Sequence, residues 1–200
     1  MRLLVIRHGE SEADILHLHE GRADFELTER GHRQTDATGI YISGHYKLDR
    51  IYHSTLKRAA QTAQHIADHT GAPLFPEDML REHDNGLRAG LPYEEGWKKY
   101  PYVDYDKLPI HTALYEEESR LDFRYRAEFI LSKIISENDA ESTVAVVCHG
   151  GTIHQLYKAF LRLPIDAKVY FRSGDACIHE WETEGNSRSI IRANFCPHGE

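Results

Sequence analysis

Arg7-His8-Gly9-Glu10 follows directly on the apolar run Leu3-Leu4-Val5-Ile6, so an arginine and a histidine stand where a buried strand gives way to a loop. In open α/β sheets ligands bind outside the carboxyl ends of strands, and side chains at such a junction face a crevice. Gly9 allows the backbone to turn sharply beside the imidazole. The arrangement recurs at Val144-Ala145-Val146-Val147-Cys148-His149-Gly150-Gly151-Thr152, again a buried strand, a histidine, glycines and then a helix. Two strands that each end in His-Gly can aim both imidazoles into one crevice, and the Gly150 and Gly151 N–H groups at a helix N-terminus favour an anion. Arg58 falls in the first turn of a helix, where a cation opposes the helix dipole and needs some other reason to be present. The loop Leu80-Arg81-Glu82-His83-Asp84-Asn85-Gly86 adds an acidic cluster in which one carboxyl could be kept protonated by apolar walls, ready to donate a proton.

The elements that must position these groups alternate between strand and helix. Leu27-Thr28-Glu29-Arg30-Gly31 opens a helical pattern running to about Ser43, with Thr28 as N-cap. Arg50 to His53 reads as a strand, and Ser54 to Thr70 as a helix stopped by Gly71 and Pro73. Five of the seven prolines fall between Pro73 and Tyr115, so that stretch reads as a cap-like excursion over the sheet, with room for short elements such as Tyr93 to Tyr100. Ser119 to Glu137 is helical, Thr143 to Val147 a buried strand, and Thr152 to Leu163 a helix ended by Pro164. Ala176 to Trp181 and Ser189 to Ala193 read as strands joined through a Gly185-Asn186 turn. This rhythm predicts a single α/β domain over residues 1–200, with a mostly parallel sheet covered on both faces and an antiparallel edge.

Composition narrows the function classes. A chain of 200 residues, 40% apolar and 28% charged, fits one globular domain. With no basic-then-apolar leader and no apolar stretch near the ~20 residues of a membrane span, a cytoplasmic location away from membranes is expected. A net charge of -8 argues against nucleic acid as a partner, so an anionic ligand must be met by locally placed cations. Three cysteines without CxxC spacing predict reduced thiols, with neither a disulfide framework nor a structural zinc site.

Taken in order, Arg7 to Glu10, the turn Gly21-Arg22-Ala23-Asp24 followed by Leu27 to Gly31, the Ser54 to Ala63 run, Leu80 to Gly86 and Val146 to Gly151 resemble the histidine phosphatase superfamily, also called phosphoglycerate mutase-like, over nearly the whole chain. The resemblance implies a three-layer α/β/α sandwich with His8 as phosphoryl acceptor. It also implies that Arg7, Arg58 and His149 clamp the phosphoryl oxygens and that Glu82 is the general acid. Asp14, Gly21 and Gly150 join the substrate-binding set by the same resemblance. No cofactor or metal is implied, and the expected ligand is a small phosphorylated metabolite or inorganic phosphate.

Elementary chemistry supports these roles. A phosphoryl group in transfer spreads negative charge over three oxygens, so catalysis is mainly positioning plus preplaced cationic donors. A covalent phosphohistidine splits one hard displacement into two easier ones. Protonating a poor alkoxide leaving group is worth on the order of 10²–10⁴ in rate. Departures from the mutase pattern favour hydrolysis. Asp14 replaces the common asparagine and would repel a dianion unless it is paired, for example with Arg22, or turned away. Leu18, His83-Asp84-Asn85 and Gly151 replace other mutase residues, and the excursion is short and acidic at Glu116-Glu117-Glu118. A phosphoglycerate mutase is the runner-up, and a non-catalytic phosphate-binding module the third reading.

Each group also has a plainer reading. The acid could be Asp84 instead of Glu82, and Glu10 is expected to pair with a cation and hold its loop. His17 with His19, and His65 with His69, have ligand spacing but no evident third ligand. Cys148 reads as a small buried hydrophobe. Tyr93, Trp97, Tyr100, Tyr102 and Tyr105 could line the pocket entrance or pack beneath a long loop. A homodimer through a sheet edge or exposed helix stays open.

Overall fold

The computed structural model describes residues 1–199. Its centre is a six-stranded sheet of β1 (Arg2–Arg7), β2 (Arg50–Ser54), β3 (Leu74–Glu77), β4 (Thr143–Cys148), β5 (Ile178–Glu184) and β6 (Ser187–Phe195) in the order β3-β2-β4-β1-β5-β6. The pairs β1/β4, β2/β4 and β2/β3 are parallel, whereas β1/β5 and β5/β6 are antiparallel. Leu3, Leu4, Val5 and Ile6, like Val144 to Cys148, are buried continuously, as strands covered on both faces must be. Around the sheet lie α1 (Glu12–Leu16), α2 (Glu29–His45), α3 (Lys57–Thr70), α4 (Tyr93–Lys99), α5 (Arg120–Ser136) and α6 (Gly150–Phe160).

Side-chain alternation along the strands divides the core. Leu3, Val5, Val144 and Val146 pack with Ile130 and Ile134 of α5 and Ile153 and Leu156 of α6. Leu4, Ile6, Ala145 and Val147 pack with Ile42 of α2 and Ala59, Ala63 and Ile66 of α3. Strands read from sequence thus become the middle layer of the expected α/β/α sandwich. Thr28 caps α2, its hydroxyl accepting the Gly31 N–H at 3.0 Å, and Ser119 caps α5 through the Asp122 N–H at 3.1 Å.

Three local expectations are corrected. Ser54 closes β2 instead of opening a helix, and α3 starts at Lys57. The stretch after Pro73 first completes the sheet as edge strand β3 and only then leaves it; Pro76 is tolerated on a strand paired on one side alone. Finally, Cys177 and Cys196 form a disulfide, against the expectation of reduced thiols. The reason is register: Ile178 faces Phe195 across the β5/β6 pair, which makes residues 19 apart in sequence direct neighbours. Cys148 is buried and free, as read.

Candidate active site

The two central parallel strands end side by side, with Arg7 opposite Cys148 and the His8 N–H donating to the Cys148 carbonyl at 3.0 Å. His8 and His149, one residue beyond each strand, therefore meet with ring centroids 5.1 Å apart, both buried. His8 Nδ1 lies 2.7 Å from the Gly9 carbonyl, which can only accept, so the ring proton is assigned to Nδ1 and Nε2 keeps its lone pair. Arg58 Nε donates to that Nε2 at 3.2 Å. Burial first, then Arg58 and Arg7, holds the His8 pKa well below the ordinary histidine range, which keeps the imidazole neutral. The same causes, with His8 added, depress His149.

Gly9 serves a different purpose from the turn expected of it. A Cβ there would stand 2.6 Å from the Gly31 carbonyl and 2.8 Å from Thr35, so α2 can approach the His8 loop only over a glycine. Glu10 behaves as read, accepting from Thr28 Oγ1 at 2.7 Å and pairing with Arg30 at 3.0 Å.

Arg58 has no solvent exposure, which removes its reading as a solvated helix charge. Its Nη atoms donate to the carbonyls of Ala23 at 3.0 Å and Gly21 at 2.9 Å. Gly21 is thereby placed as a backbone support for Arg58. Arg7 donates through Nη1 to the Ser173 carbonyl at 2.9 Å and pairs through Nη2 with Asp175 at 3.2 Å. Two buried polar atoms of the site have no protein partner among the described residues, Arg7 Nε and His149 Nδ1. His149 Nε2 is 2.8 Å from Ser54 Oγ; a hydroxyl that donates there leaves Nδ1–H as a second unspent donor.

Glu82 joins these groups and Asp84 does not. Glu82 lines an open cleft of about 610 Å³ together with Arg7, His8, Glu20, Gly150, Gly151 and the segment Tyr170 to Ser173. Its oxygens accept the Gly151 N–H at 2.8 Å and the His83 N–H at 2.8 Å, so its surroundings are polar and not the apolar walls expected. The acceptor at the α6 N-terminus is the protein's own Glu82 side chain. Gly151 must be glycine for this contact, since a Cβ would fall 2.5 Å from Glu82 Oε1. Asp84 is held by Arg22 at 3.3 Å and by the Gly86 N–H at 3.0 Å. Asp14 is not paired with Arg22: its carboxylate accepts the Ser11 N–H at 2.8 Å in a capping box, while Arg22 is engaged by Asp84.

The aromatics of the excursion are only partly packing, for Tyr93, Trp97 and Tyr102 are exposed. Tyr93 and Trp97 meet His19 edge-on at 4.8 and 5.0 Å, Arg88 covers Trp97 at 4.6 Å, and Tyr105 donates to Glu117 at 2.8 Å. The aromatics at the cleft are Tyr170 and Phe171. Of the histidine pairs, His19 packs against Tyr93 and Trp97 with its Nε2 buried and without a partner among the described residues, His65 contacts His32 at 2.9 Å, and His69 contacts Asp36 at 2.7 Å.

Sequence reasoning missed Glu20, Ser173 and Asp175. Glu20 Oε2 lies 3.8 Å from His8 Nε2, with Oε1 3.4 Å from Arg58 Nε and accepting from Ser11 Oγ at 2.5 Å. A signal existed for the other two: an antiparallel β5 must be entered from the end of the sheet where β1 and β4 finish, which brings the preceding loop to the site.

Comparison with known proteins agrees with this geometry. The family model of the histidine phosphatase superfamily (branch 1) matches residues 3–195. Phosphoserine phosphatase 1 of Hydrogenobacter thermophilus is 28% identical over 200 residues, 99% of this chain and 94% of that protein. A 2,3-bisphosphoglycerate-dependent phosphoglycerate mutase of Brucella ovis is 32% identical over 168 residues, 78% of this chain and 80% of the mutase. The crystal structure of the α-ribazole phosphatase from Shigella flexneri superposes with a TM-score of 0.87 at 23% identity, covering 97% of this chain and 96% of that one, which bears on the fold. Two parallel strands that deliver their terminal histidines to one cleft, in a sequence that fits the family pattern almost end to end, lead to one assignment: the chain belongs to the histidine phosphatase superfamily, branch 1.

Proposed function

We propose that the protein is a phosphomonoester hydrolase acting on a small phosphorylated metabolite through a covalent phosphohistidine at His8. The observation that carries this reading is the pair of buried, unspent nitrogens, Arg7 Nε and His149 Nδ1, beside a lone pair on His8 Nε2. A buried donor left unpaired costs about 1–3 kcal/mol, and a phosphoryl group seated between them satisfies both. Its oxygens are met by Arg7 and His149, and by Arg58 Nε once His8 Nε2 gives up that bond to bind phosphorus, with the Gly150 backbone beside Arg7 at the cleft wall.

His8 Nε2 attacks phosphorus as the ester oxygen departs, and the Nδ1–H bond to the Gly9 carbonyl supports the charge that develops on the ring. Glu82 passes to the leaving oxygen the proton that a monoester monoanion brings into the site, and then takes a proton from the water that cleaves the phosphorus–nitrogen bond. Phosphate leaves and His8 is neutral again.

The similarity to phosphoglycerate mutases favours a second reading in which the phosphohistidine passes its group to another hydroxyl. Glu20, Glu82 and Asp175 around the clamp weigh against it, because they disfavour a substrate carboxylate held close by. The phosphoserine phosphatase relative makes phosphoserine the first metabolite to test, since its α-ammonium, which phosphoglycerate lacks, can pair with these carboxylates and offset the repulsion of its own.

The test is phosphate release from p-nitrophenyl phosphate, phosphoserine and 3-phosphoglycerate in excess EDTA, with wild type against His8→Ala and with acid quenching to trap the phosphoenzyme. Hydrolysis and a phosphohistidine in wild type, both abolished in His8→Ala, are expected. Equal activity in the variant would overturn the reading, and phosphoglycerate isomerisation without net phosphate release would replace it by the mutase.

A further inference from the structure

The loop Ser173 to Cys177 both holds Arg7 and carries a sulfur of the disulfide. The Ser173 carbonyl and the Asp175 carboxylate grip the guanidinium at 2.9 and 3.2 Å. Three ties then fix this loop to the chain around the end of β6. The Gly174 N–H donates to Asn194 Oδ1 at 2.7 Å, Cys177 is bonded to Cys196, and His198 Nε2 donates to the Asp175 carbonyl at 2.8 Å. The β5/β6 ladder stops at the Ile178/Phe195 pair; beyond it the Ala176 N–H donates to the His8 carbonyl at 3.0 Å and Thr38 Oγ1 to the Ala176 carbonyl at 2.8 Å, so Ala176 stays docked on β1 and α2 while Gly174 and Asp175 depend on the ties to the end of β6. The loop is also conformationally costly, with Ala176 at φ +50°.

We propose that the Cys177–Cys196 disulfide positions Arg7 through Asp175, so that capture of the phosphoryl group depends on the redox state of this pair. The proposal rests on the assignment of Arg7 to the phosphoryl clamp. Cys177 and Cys196 touch no reacting atom and are positioning residues. A dithiol reductant passes two electrons and two protons to the disulfide, giving two thiols and its own cyclic disulfide. The segment from Cys196 to His198 then loses its covalent tie, the His198 bond to the Asp175 carbonyl weakens with it, and the loop can move Asp175 away from Arg7. A guanidinium free to leave its geometry has to be reordered for each substrate, a cost that enters as binding. The substitution that removes the pair therefore changes KM more than kcat.

The experiment measures p-nitrophenyl phosphate hydrolysis and the affinity for inorganic phosphate, in oxidised protein and after dithiol reduction, with free thiols counted in both states. EDTA is present throughout, because Cys177, Cys196 and His198 bring three donor atoms within 4.8 Å of one another and the thiolates would collect trace zinc. Reduction is expected to raise KM and the phosphate dissociation constant together by about tenfold, with kcat changed by less than about twofold. Cys196→Ser should show the reduced values under both conditions, and Asp175→Asn should do so in the oxidised protein. In Arg7→Ala the redox state should no longer change phosphate affinity, because the two changes act through one contact. Three free thiols in the oxidised protein, or equal phosphate affinity in the two redox states, would overturn the proposal. A loss of melting temperature on reduction without a KM change would do so as well, since it marks a cross-link that only stabilises. No phosphate binding in either state would instead bring down the phosphatase reading itself.

Discussion

Arg58 Nε points at His8 Nε2 across 3.2 Å, from a side chain with no solvent exposure whose other nitrogens are committed to the carbonyls of Gly21 and Ala23. A planar guanidinium can make these three contacts at once, whereas an ammonium of the same charge cannot. Arg58→Lys should therefore keep the charge in the cleft and lose its direction. The expected fall in kcat/KM is about 10²–10³, the usual cost of removing one aligned donor from a developing oxyanion. Steady-state kinetics with an aryl phosphate check this, and a change under about threefold would show that charge alone suffices.

Glu82 is anchored by the Gly151 and His83 N–H groups with its carboxyl at the cleft, which suits it to serve the leaving oxygen. Glu82→Gln keeps the size and loses the proton. The loss should be on the order of 10²–10⁴ for alkyl phosphates and much smaller for nitrophenyl phosphate, whose leaving group needs little protonation. Equal loss with both would sink the general-acid assignment. In Asp84→Asn, which breaks the ion pair with Arg22, the ratio between the two substrates should stay at the wild-type value.

What was legible in the sequence was local. The buried runs ending at Arg7 and Cys148 fixed where the histidines would emerge, and the Thr28 and Ser119 caps and the Gly185-Asn186 turn were readable from residue type and spacing. Helix α1 carried a signal that went unread, since Ser11-Glu12-Ala13-Asp14 has the spacing of a capping box. What was not legible depends on register and on contacts between distant segments. The disulfide follows from which β5 residue faces which β6 residue, and the grip of Asp175 on Arg7 joins residues with 167 others between them. Glu20 belongs to the second class too, because a single carboxylate in a polar loop shows its importance only once Arg58 and His8 are seen beside it.

Glu20 places its carboxyl group beside the two proposed phosphoryl contacts, 3.8 Å from His8 Nε2 and 3.4 Å from Arg58 Nε. It competes with a phosphate dianion for Arg58, and like charges a few ångströms apart repel by a few kcal/mol at most at an effective dielectric of about 20. Part of that repulsion relaxes when the carboxylate swings aside. Glu20→Gln retains an acceptor for Ser11 Oγ and should tighten inorganic phosphate by about tenfold, on the order of 1.4 kcal/mol. Because bound product then leaves more slowly, kcat should fall while KM falls with it. Calorimetric titration of phosphate checks the first half, and weaker binding in the variant would show that Glu20 organises the cradle and does not oppose the ligand.

His179 links the site to acid stability. Its ring is buried, with Nδ1 bonded by the Tyr157 hydroxyl at 2.8 Å and the Asn194 N–H at 3.1 Å, and Nε2 facing Ser173 Oγ at 2.9 Å. Burial pushes its pKa down to about 4, against about 6.5 in an unfolded chain. Between those values the unfolded state binds a proton that the folded state refuses, so stability is lost as pH falls from about 6.5 toward 4. For this one group the loss at pH 5 is about 2 kcal/mol, and burial of His8 and His149 acts in the same direction. His179→Gln cannot take up that proton. Urea unfolding of both proteins at pH 7 and pH 5 should show the variant less stable at pH 7 but with a fall between the two pH values smaller by about 2 kcal/mol. An equal fall in both proteins would mean that His179 is solvated enough to titrate normally, and the acid sensitivity would then have to come from His8 and His149.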